Sequence, residues 1–189
     1  MTTSSNAELR TIARNSRRAL SDDYRDLASA RIQRSFLRSN LFLSANNIAC
    51  YIAMQDEVDT RLIFDRAWCA GKSIFAPVVA DKRQLRFVRV ERATQLEKSR
   101  FGVWEPVTGA EISKNDLDVI LTPLVVFDPQ WHRIGMGGGY YDRTFSFLKH
   151  KRHWLRPKLV GLAFDCQKVE KILPNPWDIR LYRVFNESR

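Results

Sequence analysis

Four of the eight glycines in this 189-residue chain fall between Gly135 and Gly139, in the string Arg133-Ile-Gly-Met-Gly-Gly-Gly-Tyr-Tyr-Asp-Arg143. Glycine makes positive φ cheap and removes the Cβ that would keep a ligand away from backbone N–H groups. Such groups, converging ahead of a helix that starts near Tyr140, would form a cradle for phosphate. Arg133 and Arg143 would bracket that cradle with cationic donors. A loop that merely turned the chain would bear the ordering entropy of four glycines without needing them. The string is not a P-loop, which ends in Gly-Lys-Ser/Thr. Nor is it a dinucleotide fingerprint, which has an acidic residue about 20 positions on.

Asp142 follows the glycines directly. A carboxylate there could hold a magnesium ion that bridges nucleotide phosphates, or it could serve as a dipole-favoured residue early in a helix. The local residues leave both readings open. Glu57, in the polar stretch Gln55-Asp-Glu-Val-Asp59, reads on its own as a solvated loop residue. His132, His150 and His153 lie close to the loop in sequence and could pass a proton. No Cys-His or Ser-His pairing marks a covalent nucleophile.

The elements around these residues alternate between the two periods. The first forty residues read as a helical pair. In the first helix Leu9, Ile12, Ala13 and Leu20 form an apolar face, and Arg10, Arg14 and Arg17 share another. Ser21 caps the second, in which Tyr24, Ala28, Ile32 and Phe36 recur with Leu27 beside them. Apolar runs at residues 48–53, 73–79, 118–126 and 159–164 suit strands covered on both faces, with a further arginine-rich strand at 84–90. Leu62 to Ala70 reads as a helix stopped by Gly71, and residues 141–150 as another. Strands alternating with helices imply an α/β fold: residues 1–189 as one domain, with a central, mostly parallel sheet flanked by helices.

The formal charge of +10 calls for anionic partners, but Lys and Arg are scattered, with moderate concentrations at residues 10–18 and 143–158. Scattered charge favours a solvated surface focused on an anionic pocket rather than a nucleic-acid patch. No run approaches the roughly 18 apolar residues of a membrane helix, and the polar start lacks a secretory stretch. Cys50, Cys69 and Cys166 show no disulfide or zinc spacing, and two of them sit in apolar stretches as expected buried thiols. The chain is expected in the cytoplasm, with no nucleic-acid or membrane partner.

The string Phe127-Asp-Pro-Gln-Trp-His-Arg-Ile-Gly-Met-Gly-Gly-Gly-Tyr-Tyr-Asp-Arg143 resembles the signature of the 5-formyltetrahydrofolate cyclo-ligase family. The resemblance runs along nearly the whole chain. It takes in Leu9-Arg10 through Leu20-Ser21, Glu57-Val-Asp-Thr60, Gly71-Lys72 with Pro77, and Phe101-Gly-Val-Trp-Glu-Pro106. It ends in Gly161-Leu-Ala-Phe, Gln167, Pro174 and Asp178. It implies an α/β enzyme, expected as a monomer, that converts 5-formyltetrahydrofolate, including polyglutamylated forms, and ATP into 5,10-methenyltetrahydrofolate, ADP and phosphate. The cofactor would be Mg2+. Arg10, Arg133, Ile134, Gly135, Met136, Gly137, Gly138, Gly139, Tyr140 and Tyr141 then match ATP-binding positions. Arg133 and Arg143 become the expected catalytic cations. Met54, Glu57 and Tyr140 match folate contacts, and Asp142 and Asp178 match magnesium-associated acids.

The chain departs from the family pattern in places. Some members carry lysine where Asn6 and Gly138 stand, and many have glycine at the position of Trp131. Two other readings remain: a sugar-phosphate isomerase or acyl-transfer enzyme on a similar scaffold, and a basic nucleic-acid-binding protein. The former would not consume ATP, and the latter would bind with a steep salt dependence.

Overall fold

The computed structural model of the chain describes residues 5–149 and 156–188. Ser5 and Glu8 cap each other reciprocally to start α1 (Asn6–Arg18). The Ser21 hydroxyl accepts from the Tyr24 N–H at 3.3 Å and starts α2 (Asp22–Leu37). A single turn, α3 (Asn40–Leu43), leads into β1 (Asn47–Ala49). Then come α4 (Arg61–Cys69), β2 (Ser73–Val79), β3 (Leu85–Arg89), β4 (Leu96–Lys98), β5 (Trp104–Pro106) and β6 (Glu111–Ile112). The second half holds β7 (Val119–Thr122), β8 (Val126–Phe127), β9 (Arg133–Ile134), α5 (Tyr140–Thr144), β10 (Lys158–Leu162) and β11 (Arg183–Phe185).

Seven strands form the main sheet in the order β11-β10-β7-β1-β2-β3-β6. The pairs from β11 through β2 are parallel, and β3 and β6 extend the sheet antiparallel. The pairs β4–β5 and β8–β9 stand apart as hairpins. Ile48, Ile74, Val119, Leu121 and Val160 face Ile32, Phe36 and Ile63 of α2 and α4. Ala49, Phe75, Ile120 and Leu159 face the opposite way, onto Phe127, Phe145 and Leu181. Burial on both faces is why these strands read as unbroken apolar runs. Each fully buried Ile or Leu contributes about 1.5–3 kcal/mol. The α/β class and mostly parallel sheet match the expectation.

Several local expectations need correction. In α1, Ile12 is exposed, whereas Ala13 and Arg17 are buried, because the helix lies against the β8–β9 hairpin. Tyr24 and Leu27 of α2 are also exposed. The strand expected over 48–53 is three residues long. The chain leaves the sheet at Tyr51, whose hydroxyl donates to Val58 O at 3.1 Å while its carbonyl accepts from the Thr60 hydroxyl at 2.9 Å. The run over 118–126 breaks at Pro123, between β7 and β8. The helix over 141–150 is one α-turn followed by a 3-10 turn at Ser146–Lys149, and residue 150 lies outside the described residues. Of the cysteines only Cys50 is fully buried; Cys166 is half-buried and Cys69 exposed.

Candidate active site

The glycine loop is launched by the β8–β9 hairpin, and one buried carboxylate sets the turn of that hairpin. Asp128 Oδ1 accepts from the Gln130 and His132 N–H groups at 3.0 and 2.9 Å. Its Oδ2 lies 2.9 Å from His132 Nδ1 and accepts from the Ile172 N–H at 3.0 Å. Burial pushes the Asp128 pKa up, but the bond from His132 and the backbone donors outweigh it and hold the carboxyl below its usual range. The turn forces Trp131 to φ 67°, a conformation that costs a non-glycine residue about 1–3 kcal/mol. His150 and His153 lie outside the described residues.

Within the loop, Gly137 has φ 103° and Gly139 has φ 63°. The loop's carbonyls are drawn away by arginines. Arg10 Nε donates to Gly135 O at 2.8 Å, and Arg143 Nη1 donates to Gly138 O at 2.8 Å. The N–H groups of Met136, Gly137 and Gly138 make no hydrogen bond to another described residue. A Cβ at Gly135 or Gly137 would meet nothing within 4 Å, so that side of the backbone is open. Open space, unpaired donors and oppositely engaged carbonyls together suit an anion. The helix dipole adds little, because α5 is only five residues long. Ile134 is buried and Met136 exposed.

Behind the loop lies a three-way junction. Arg133, buried, donates through Nη2 to Asp142 Oδ1 at 2.9 Å and through Nη1 to the Ile179 carbonyl. The Ile179 N–H donates to the same Asp142 oxygen at 2.9 Å. Asp142 thus ties the loop's flank to the C-terminal segment and brings it next to the residue following Asp178. The Asp178 carboxylate accepts from the Asn175 backbone and side-chain amides at 2.8 and 3.2 Å. No group of three or more His, Cys, Asp or Glu side chains is poised for a metal among the described residues. Both described bonds to Asp142 fall on Oδ1, which leaves Oδ2 for a cation. That donor set fits a magnesium ion carried in on phosphate oxygens, which needs one or two protein carboxylates.

The turn carrying Met54 and Glu57 is held by its own groups. Glu57 Oε2 accepts from the Met54 N–H at 3.0 Å, and the Glu57 N–H donates to Met54 O at 3.0 Å. Burial pushes the Glu57 pKa up, only partly offset by the Met54 N–H and the charge of Arg17. Glu57 is half-buried rather than a fully solvated loop residue. Its neighbour Asp56 pairs with the buried Arg17 at 2.8 Å and with Arg18 at 3.9 Å. The Tyr141 hydroxyl lies within electrostatic reach of both Glu57 and Arg133. Burial raises its pKa, the charges of Cys50 and Glu57 raise it further, and Arg133 lowers it. Glu57, Tyr141 and Arg133 thus share one electrostatic neighbourhood. Tyr140 packs edge-on against Phe101 with ring centroids 6.0 Å apart, beside a cleft of about 410 Å³ that includes Arg86, Arg100 and Glu105.

The structure gives parts to residues that the motifs left unassigned. Asp128 stood in the quoted string without a role, although an Asp two residues before Gln130 is an Asx-turn signal. Arg17 and Asp56 form a tertiary pair that no local pattern announces.

Comparison with known proteins bears on the family and the fold. Residues 2–187 match the 5-formyltetrahydrofolate cyclo-ligase family. The 5-formyltetrahydrofolate cyclo-ligase of Haemophilus influenzae is 37% identical over 145 residues, covering 75% of each chain. That of Escherichia coli K12 is 35% identical over 149 residues, covering 77% of this chain and 80% of the relative. The 5,10-methenyltetrahydrofolate synthetase structure from Aquifex aeolicus superposes with a TM-score of 0.81 at 29% identity, covering 97% of this chain and 90% of that one. The Mycoplasma pneumoniae synthetase gives 0.76 at 25% identity, covering 97% and 99%. With nearly its whole length matched in sequence and its sheet matched in space, this chain belongs to the 5-formyltetrahydrofolate cyclo-ligase family.

Proposed function

We propose that the protein uses ATP to close 5-formyltetrahydrofolate, with or without a polyglutamate tail, into 5,10-methenyltetrahydrofolate, releasing ADP and phosphate. The observation that carries this reading is the glycine loop, with its carbonyls held by Arg10 and Arg143 and its N–H groups open, inside a chain matched to the family over residues 2–187. A formyl amide oxygen is a poor leaving group. Transfer of the ATP terminal phosphoryl to that oxygen makes it a good one. N10 then attacks the formyl carbon and loses its proton, and the C–O bond breaks with release of phosphate, which can take that proton up. Such transfers depend mainly on positioning and charge neutralisation. The loop N–H groups of residues 136–138 hold the phosphates, and Arg133 with Arg143 balances their charge. Glu57 accepts from pterin donors, beside Met54 and Tyr140. Asp142, with Asp178 nearby, would hold magnesium, which supplies further charge neutralisation when bound. The enzyme is taken to act as a cytoplasmic monomer. No helix among the described residues is long and apolar enough to cross a membrane.

The test is to mix the protein with 5-formyltetrahydrofolate, ATP and magnesium and follow the ultraviolet band of the methenyl product. Product without ATP consumption, or none at all, overturns the reading. Substrate labelled with heavy oxygen in the formyl group should pass its label to phosphate; label released in water would exclude direct phosphorylation.

A further inference from the structure

Helix α1 carries Arg10, Arg14 and Arg17 along one side, and the outer two are committed. Arg10 donates to the Gly135 carbonyl at 2.8 Å. Arg17 donates to Asp56 at 2.8 Å and to the Leu124 carbonyl at 3.5 Å. Arg14 stands four residues after the first and three before the second, on the same face by helical spacing. It therefore lies over the interval between the glycine loop and the Asp56–Glu57 turn. Its Nε is buried without a hydrogen-bond partner, as is that of Arg17, but Arg14, unlike Arg17, makes no other hydrogen bond and no ion pair among the described residues. A buried guanidinium N–H that has left water and found no acceptor is an exception calling for a reason. Asp56 is the only carboxylate paired with this helix side among the described residues, and Arg17 and Arg18 already share it. The middle of the row therefore holds positive charge that no carboxylate among the described residues pairs with. The N–H groups of residues 136–138, beside the carbonyl that Arg10 holds, lack an acceptor too. Both sets of donors need the same thing, an anion seated between the loop and the helix.

We infer that Arg14 is a phosphate ligand, its guanidinium donating to a phosphate oxygen of the nucleotide seated on the glycine loop. This rests on the ATP reading above. A planar guanidinium fork suits tetrahedral phosphate oxygens, so its geometry matters as well as its charge. The competing anion is a carboxylate of the folate's glutamate, and the two differ in which substrate loses affinity when Arg14 is changed.

Calorimetric titration with Mg-ATP and, separately, with 5-formyltetrahydrofolate decides between them. Arg14→Gln should bind Mg-ATP about 10- to 100-fold more weakly, the usual consequence of losing a charge-assisted hydrogen bond. It should bind the folate within about twofold of wild type, as expected for a residue that does not touch it. Arg14→Lys, which keeps charge and much of the stem, should fall between and guards against misfolding of the Gln variant. Arg31→Gln, an equal change of net charge on an exposed part of α2, should leave both affinities unchanged. Unchanged Mg-ATP affinity in folded Arg14→Gln, or Arg14→Lys when only that variant folds, overturns the assignment. So does a loss confined to the folate or shared equally by both substrates. Wild-type protein that binds Mg-ATP but never closes formyl-folate sinks the cyclo-ligase reading alone, because the Arg14 titrations still stand.

Discussion

The glycine loop, through its flanking Arg133, and the Met54–Glu57 turn, through Glu57, both act electrostatically on Tyr141, yet they are prepared in opposite senses. In the loop, Arg10 and Arg143 engage the carbonyls of Gly135 and Gly138, and the N–H groups of residues 136–138 remain available. In the turn, the Met54 N–H is satisfied internally by the Glu57 carboxylate, which burial makes reluctant to ionise. One segment offers donors and the other an acceptor. Phosphates need donors, and a pterin amide and amine need an acceptor, so under the proposed function the two substrates would be sorted by the polarity of the backbone and side chain that meet them. Helix α1 links both segments, through Arg10 at one end and Arg17 with Asp56 at the other.

The sharpest way to break the comparison is Gly137→Val. At φ 103° a β-branched side chain is strained, and its methyls would fill the open side of the loop. Mg-ATP affinity should fall about 100-fold or more, the sum of local strain and blocked backbone approach. Folate affinity should change little and the melting temperature by only a few degrees. Calorimetry and a thermal melt measure all three; equal losses toward both substrates would mean that the loop does not select for phosphate.

Glu57→Gln tests the other half. It puts a donor where the pterin also presents donors, and should raise the folate KM about 10- to 100-fold, or ~1–3 kcal/mol, with ATP binding unaffected. Stability should move the other way. Burial raises the folded pKa of Glu57 above its unfolded value, so its contribution favours folding below the unfolded pKa and is lost as pH rises through the folded one. At neutral pH the Gln variant should therefore melt above wild type, and the gap should close as pH falls below the ordinary glutamate range. A variant that melts lower at every pH would show that the carboxylate is needed by the fold.

Asp56→Asn weakens the tie between α1 and the Glu57 turn. The buried Arg17 loses its charged partner, so stability should fall by about 3 kcal/mol. The folate KM should rise severalfold and exceed any rise for ATP. Burial raises the Asp56 pKa, but the Arg17 bond and charge outweigh it and leave the carboxyl below its usual value. Its contribution is present above the unfolded pKa and lost as pH falls through the folded one, so the variant should lack that part of the wild-type acid-unfolding slope. Acid melts of both proteins check it.

How legible these features were in the sequence depended on whether their cause was local. Residues 119–122 and 158–162 announced themselves because strands covered on both faces need unbroken apolar runs. The glycine cluster and the Ser21 cap are local signals as well. Arg17 is buried because Asp56 and Leu124 O await it, and Glu57 is desolvated by neighbours distant in sequence; neither is visible from adjacent residues. The strands β4, β5, β6, β8, β9 and β11 are two or three residues long, too short for a period of two to register. The face of α1 was misjudged at Ile12 because the helix packs its Ala13 and Arg17 side against the β8–β9 hairpin and the segment before it, which no local pattern announces.

The smallest expected effect is at Trp131, where two terms oppose each other. Its φ of 67° is a left-handed conformation fixed by the Asp128 turn, and its carbonyl accepts from the Leu181 N–H at 3.0 Å. Its ring packs partly buried against the core on the Phe127 side of the sheet. Trp131→Gly relieves about 1–3 kcal/mol of backbone strain but forfeits ring contacts of comparable size. The net change should stay within about 1 kcal/mol, with Mg-ATP affinity within about threefold, because the Asp128 bonds still shape the turn. Trp131→Ala loses the same contacts while keeping the strain. The glycine variant should therefore melt above the alanine variant, the reverse of their usual order in ordered backbone, where glycine is the more costly residue. If alanine melts higher, the left-handed turn is not what the fold demands at this position. The loop that follows would then be set by its own glycines, and the support that Asp128 gives the donor-presenting half of the site would fall away.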